Sequence, residues 1–158
     1  MAAADTELLG RHPLLCRLGP EQLERFAQAG ELELFQPDEE IVVAGSLGDA
    51  LYLLLAGSAT VHTAEGGPPL ATLGAGEFFG EMSLIEPARR SATVRAAELC
   101  EVFRVPHFAL TNLLQDDPAA MTWVLVSVVK ALSQRLRQTN RLVGSVQELA
   151  EFLAGSLV

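Results

Sequence analysis

Between residues 31 and 105 the chain is cut into short apolar runs by glycine and proline, and this punctuation limits the possible fold more than any other feature. Residues 31–36 (Glu-Leu-Glu-Leu-Phe-Gln) alternate polar and apolar side chains, the period of a half-buried strand. Pro37-Asp38 starts a turn, residues 41–43 form a short strand, and Gly45 and Gly48 bracket a tight loop. Residues 51–55 (Leu-Tyr-Leu-Leu-Leu) read as a buried strand, and Gly57-Ser58 turns the chain into a strand over 59–63. Glu65-Gly-Gly-Pro-Pro69 breaks a hairpin, and a strand over 70–73 is closed by Gly74 and Gly76. Strand character returns over 91–96 and 100–105. Short strands at close spacing predict a mainly β chain, a β-roll or jelly-roll barrel.

Helices flank this body. Pro20 opens one, with Leu23, Phe26 and Ala27 on one face and Gly30 as its stop. After Pro106 a helix covers 107–114. Asp116-Asp117-Pro118 then starts a long one, acidic residues lying where the helix dipole favours them. Its apolar positions Leu125, Val128, Leu132, Leu136, Val143 and Val146 recur three or four apart. Gly144-Ser145 is the expected end, with 146–153 as a last short helix. The expected domain covers 14–144, with a β-roll over about 31–105, a helical subdomain over 106–144 and a short helical tail over 145–158.

A chain of 158 residues, 49% of them apolar, suits one compact domain with a real core. A net charge of −9 argues against general nucleic-acid or anionic-membrane binding. The charge is uneven, since residues 118–147 hold Lys130, Arg135, Arg137 and Arg141 and no acidic residue. That stretch reads as a solvated helix face or a partner surface. Cys16 and Cys100 have no metal or redox spacing, as in a reducing cytosol. The first residues lack the basic and apolar regions of a signal peptide, and the apolar run over 121–129 is too short to span a bilayer. His12, His62 and His107 share no element at metal-ligand spacing, and no nucleophile–base set stands out.

One segment breaks the β rhythm. Residues 80–85 (Gly-Glu-Met-Ser-Leu-Ile) have helical propensity inside the strand region. A glycine before a short helix lets backbone approach a ligand, and the first amides of a helical turn attract an anion. Glu81 offers acceptor oxygens suited to a sugar hydroxyl. Arg90 offers a rigid fork of donors for phosphate oxygens, and Ser91 adds a hydroxyl and an amide. These pieces together fit a sugar phosphate, and an ordinary surface ion pair is the plainer alternative.

Residues 79–94 resemble the phosphate-binding cassette of cyclic-nucleotide-binding domains, whose pattern is Phe-Gly-Glu, a short helix, then Arg-Ser/Ala-Ala-Thr-Val. Gly48-Asp49-Ala-Leu-Tyr52 and Gly57-Ser58 resemble that family's strands and glycine turns, and the likeness covers about 14–144. It is greatest to the sensory domain of bacterial catabolite-activator-type (Crp/Fnr) regulators, supported by Cys100-Glu-Val102 and by residues 135–144. The resemblance implies that Glu81 accepts the ribose 2′-hydroxyl beside the Gly80 backbone, within the turn that holds Met82 and Ser83. It implies that Arg90 pairs with the cyclic phosphate, aided by Ser91 and the Ser83 amide. Arg89 is a rival for that role. Val61, Leu70 and Leu73 would line the purine, or simply pack the core. Thr139 and Asn140 would reach the base, or lie on a solvated helix end.

Those regulators continue into a helix-turn-helix domain, for which residues 145–158 are too few. The expectation is therefore a stand-alone cytoplasmic sensor without enzymatic activity, cofactor or metal. It would bind cyclic AMP, or cyclic GMP, and neither DNA nor a membrane. It would signal by movement of the long helix to a homodimer or an unknown protein partner. A ligand-free interaction domain, or the remnant of a transcription regulator, is the alternative. Hydrolysis of the cyclic phosphodiester lacks metal ligands or an activated water.

Overall fold

A computed structural model describes residues 3–84 and 88–155. It divides into two compact units, Met1–Val124 and Leu125–Val158.

The first unit begins with α1 (Ala3–Gly10) and α2 (Pro20–Gln28). Pro20 takes the first position of α2, where its missing N–H costs nothing, and the Gly19 amide donates to Gln22 Oε1 (2.9 Å). Eight strands follow: β1 (Glu31–Phe35), β2 (Glu40–Val42), β3 (Ala50–Ala56), β4 (Ser58–His62), β5 (Ala71–Gly74), β6 (Phe78–Phe79), β7 (Thr93–Ala96) and β8 (Cys100–Pro106). They form two four-stranded antiparallel sheets, in the orders β1-β8-β3-β6 and β2-β7-β4-β5. The expected β-roll of jelly-roll type is the fold found.

The core lies between the sheets. From the first sheet come Ala50, Tyr52, Leu54, Phe79, Cys100 and Val102; from the second come Val42, Ala59, Leu73, Val94 and Ala96. The Tyr52 and Phe79 rings stack with centroids 5.1 Å apart. Leu51 and Leu53 alternate with this set and are also buried, while Phe103 on β8 meets Phe26 of α2 at 6.1 Å between centroids. β3 is thus buried on both faces, which is why its sequence is an unbroken apolar run.

α3 (His107–Asp116) follows β8, and α4 (Pro118–Gly155) starts in the first unit and runs on through the described part of the second. Asp117 stands between them, its carboxylate accepting from the Ala120 amide (3.0 Å) and from Gln22 Nε2 (2.9 Å). That cap on the first turn of α4 matches the acidic start read from the sequence.

Three boundaries differ from expectation. α4 does not stop at Gly144-Ser145 but continues as one 38-residue helix. Gly144 is a weak helix former and not a breaker, and the Ser145 hydroxyl bonds back to the Arg141 carbonyl (3.0 Å), so neither residue needs an end there. α1 was not anticipated, because its apolar residues follow no helical stripe. Strand β7 begins at Thr93, not at Ser91.

Candidate functional site

Between β6 and β7 the chain forms a 3₁₀ turn, Glu81–Leu84, and then returns along β2. Ile85 of the expected helical segment lies outside the described residues. Gly80 enters the turn at φ +87°, and an added Cβ would sit 2.6 Å from the Ala50 carbonyl and 2.7 Å from an Arg90 amine. Only glycine fits that approach.

Arg90 arrives from the other side. Its own backbone is locked against residues 45–46: its amide donates to Ser46 O and its carbonyl accepts from Gly45 N, both at 2.8 Å. The side chain turns inward, and the residue is 8% exposed. Its guanidinium donates to the Ala50 carbonyl (2.8 Å) and to the Gly80 carbonyl (3.3 Å), and lies 5.4 Å from the centre of the Tyr52 ring. Glu81, next to Gly80, is 7% exposed. A buried carboxylate and a buried guanidinium are therefore brought to the same glycine.

The neighbouring arginine behaves differently. Arg89 is exposed and donates to the Gly45 carbonyl at 2.7 Å. Residues 89 and 90 alternate like successive residues of a strand, one out and one in, and the Leu47–Arg89 bridge records the pairing.

Three side chains that sequence reasoning did not single out complete the surroundings. Asp49 accepts from Arg104 at 2.8 Å and stands 4.0 Å from Arg90, so it is shared by two cations. Tyr52 underlies Arg90 and faces Arg104 across the β3–β8 pair. His107 donates its backbone N–H to the Asp49 carbonyl at 2.9 Å. Burial pushes its imidazole below the ordinary range, and the Arg90 charge lowers it further; the Gly80 and Ala50 carbonyls and Asp49 work in the opposite direction. The available signal was Gly48-Asp49-Ala-Leu-Tyr52, read from the sequence as turn and strand only.

The other expected residues are spread more widely. Met82 is 66% exposed, and Ser91 is exposed beside Arg90. Ser83 lies in the 3₁₀ turn. Leu73 is in the core, and Val61 packs against it from β4. Leu70 is 62% exposed, its amide donating to Val61 O (2.7 Å) just ahead of β5. Thr139 and Asn140 belong to α4 in the second unit, not to the unit that holds Arg90 and Glu81; the Thr139 hydroxyl donates to Arg135 O (3.0 Å). Among the described residues no group of three His, Cys, Asp or Glu is placed to hold a metal ion. No helix among them is long and apolar enough to cross a membrane.

The arrangement can take an anion and a hydroxyl side by side. Arg90 offers a buried fork of donors, and a bond from it to a charged phosphate oxygen is about twice as strong as one to a neutral acceptor. The Glu81 carboxylate beside it is an acceptor for hydroxyl groups.

The family model for the cyclic nucleotide-binding domain matches residues 32–117. The chain is 34% identical to the cyclic AMP receptor protein of Thermus thermophilus over 134 residues, covering 81% of this chain and 59% of that protein. The structure is similar to a cyclic nucleotide-binding domain from Methylobacillus flagellatus, with a TM-score of 0.74, 26% identity, and coverage of 85% of this chain and 77% of the other. It is also similar to the regulatory domain of Toxoplasma gondii PKA solved with cAMP, with a TM-score of 0.69, 27% identity, and coverage of 84% and 49%. Spanning the cassette and most of the two-sheet body, the match to the family model leaves one conclusion: the chain belongs to the cyclic nucleotide-binding domain family.

Proposed function

We propose that this chain is a cytoplasmic sensor that binds cyclic AMP and breaks no bond in it. The observation that carries the reading is the meeting of buried Arg90 and buried Glu81 at Gly80. Arg90 takes the cyclic phosphate, with the Ser83 amide and Ser91 beside it. Glu81 takes the ribose 2′-hydroxyl, next to the Gly80 backbone and Met82. Val61, Leu70 and Leu73 line the purine. Burial of Arg90 and exposure of Arg89 support Arg90 as the phosphate ligand. Nucleotide shifts the population toward the pose of α4 that its contacts favour, and that shift is the signal.

The output surface is α4 itself. Leu125, Val129, Leu136, Val143, Val146 and Leu153 are 43–66% exposed, and with Leu132, Thr139 and Ala150 they recur at alternating four- and three-residue steps. That spacing is the pattern of a two-stranded coiled-coil seam, and it supports a second copy of the chain as the partner. Light scattering should give a dimer, and Val143→Asp should give a monomer; a wild-type monomer with and without nucleotide rejects the seam. Displacement of a fluorescent cyclic nucleotide by cyclic AMP, cyclic GMP and 2′-deoxy cyclic AMP tests the pocket. The reading predicts cyclic AMP as the best competitor and a weaker 2′-deoxy analogue. Cyclic GMP displacing at lower concentration moves the assignment to that nucleotide, and equal displacement by the 2′-deoxy analogue removes the role given to Glu81.

A further inference from the structure

One buried side chain ties the N-terminal segment to the strand that leads into the cassette. His12, in the turns after α1, is 3% exposed. Its Nδ1 accepts from the Leu14 amide (3.2 Å), which places the ring proton on Nε2, and Nε2 donates to the Glu77 carbonyl (3.1 Å). The same carbonyl accepts from the Leu54 amide of β3 (2.9 Å). Beside it Pro13 rests on Gly76, where φ is +88° and an added Cβ would lie 3.3 Å from Pro13 Cδ. Glu77 is followed directly by β6 and then by Gly80 and Glu81.

We propose that His12 is a positioning residue for the cyclic-nucleotide pocket, fixing through the Glu77 carbonyl the strand that delivers Gly80 and Glu81. This rests on the pocket assignment above. The seat accepts only the neutral ring. A proton on Nδ1 would set its N–H against the N–H of Leu14, donor facing donor, so the charged ring must leave and β6 loses an anchor. Burial already holds the imidazole below its ordinary range, and the Glu77 carbonyl only partly offsets that. Among the described residues no charged side chain contributes: the Glu77 carboxylate accepts from the Gly74 amide (2.8 Å), and Arg11 pairs with Glu7. Nucleotide affinity therefore falls as the solution is acidified below the ordinary histidine range, through the depressed value of His12.

The test compares wild type, His12→Gln, His12→Leu and His107→Gln at pH 8 and pH 5. Gln keeps a donor near the Nε2 position and does not titrate. Calorimetry with cyclic AMP should show wild-type affinity falling about three- to tenfold at the lower pH, the worth of one buried hydrogen bond. His12→Gln should hold near-wild-type affinity at both values, and His12→Leu should bind weakly at both. If His12→Leu does not fold, the wild-type and His12→Gln pair still decides. A pH effect that persists in His12→Gln and vanishes in His107→Gln overturns the proposal. A second readout needs no nucleotide: the amide resonances of Phe78, Phe79, Gly80 and Glu81 should titrate in wild type and not in His12→Gln. Silent amides overturn the coupling. Titrating amides in a protein that binds no cyclic AMP at pH 8 place the failure in the nucleotide assignment instead.

Discussion

The Arg89-Arg90 pair shows how one residue of register decides a site. The sequence places two identical side chains side by side, and only the likeness to the family favoured Arg90 over Arg89. The alternation of backbone direction sets them apart: Arg90 is buried against Ala50 and Gly80, and Arg89 is exposed on Gly45. Arg90→Leu should weaken cyclic AMP binding at least about a hundredfold, since removing one partner of a buried charge pair costs about 3–5 kcal/mol. Arg89→Leu should change it little, and titration of both variants checks the pair. Gly80→Ala should abolish binding and lower the unfolding midpoint, because its Cβ would press on a backbone carbonyl as well as on Arg90. Glu81, Arg90 and Gly80 were legible because their chemistry and spacing are local. Asp49, Tyr52 and His107 were not, because strand pairing brings them in from distant positions. His12 and His107 both sit below the ordinary histidine value of about 6.5. The folded chain then binds fewer protons than the unfolded one, so stability present above that value is lost as pH falls through the depressed values. Thermal melts between pH 7 and pH 5 should show a falling midpoint, less so in His12→Gln.

At the scale of elements, what could be read depended on the length of the pattern. The alternation in β1 and the unbroken apolar run of β3 each span several residues and predicted their strands. β6 has two residues and exists because Phe78 and Phe79 pair with Leu53 and Tyr52, information held in another strand. In α4 the three- and four-residue spacing was legible and the end was not. Gly144 was read as a stop because glycine often is one. Its neighbours continue the helical pattern, and nothing lies within 4 Å of where its Cβ would be. Gly144→Ala should therefore stabilise the helix by about 1 kcal/mol. Circular dichroism should show equal or greater helix content and a higher melting midpoint, and a loss of helicity would mean that the helix ends there.

At the scale of the whole chain, the two-sheet body explains why Arg90 and Gly80 meet where they do. One sheet supplies β3 and β6, the other supplies β7, and Arg90 reaches the Ala50 and Gly80 carbonyls from the segment that joins them. On the proposed function, the exposed apolar positions of α4 are the surface through which nucleotide binding is read. The measurement that bears most directly on this account is calorimetric titration of cyclic AMP into the folded chain at pH 8. The account predicts saturable binding at one site per chain, micromolar or tighter, and its loss in Arg90→Leu. No heat at high concentrations of folded wild-type protein, or undiminished heat in Arg90→Leu, would contradict it.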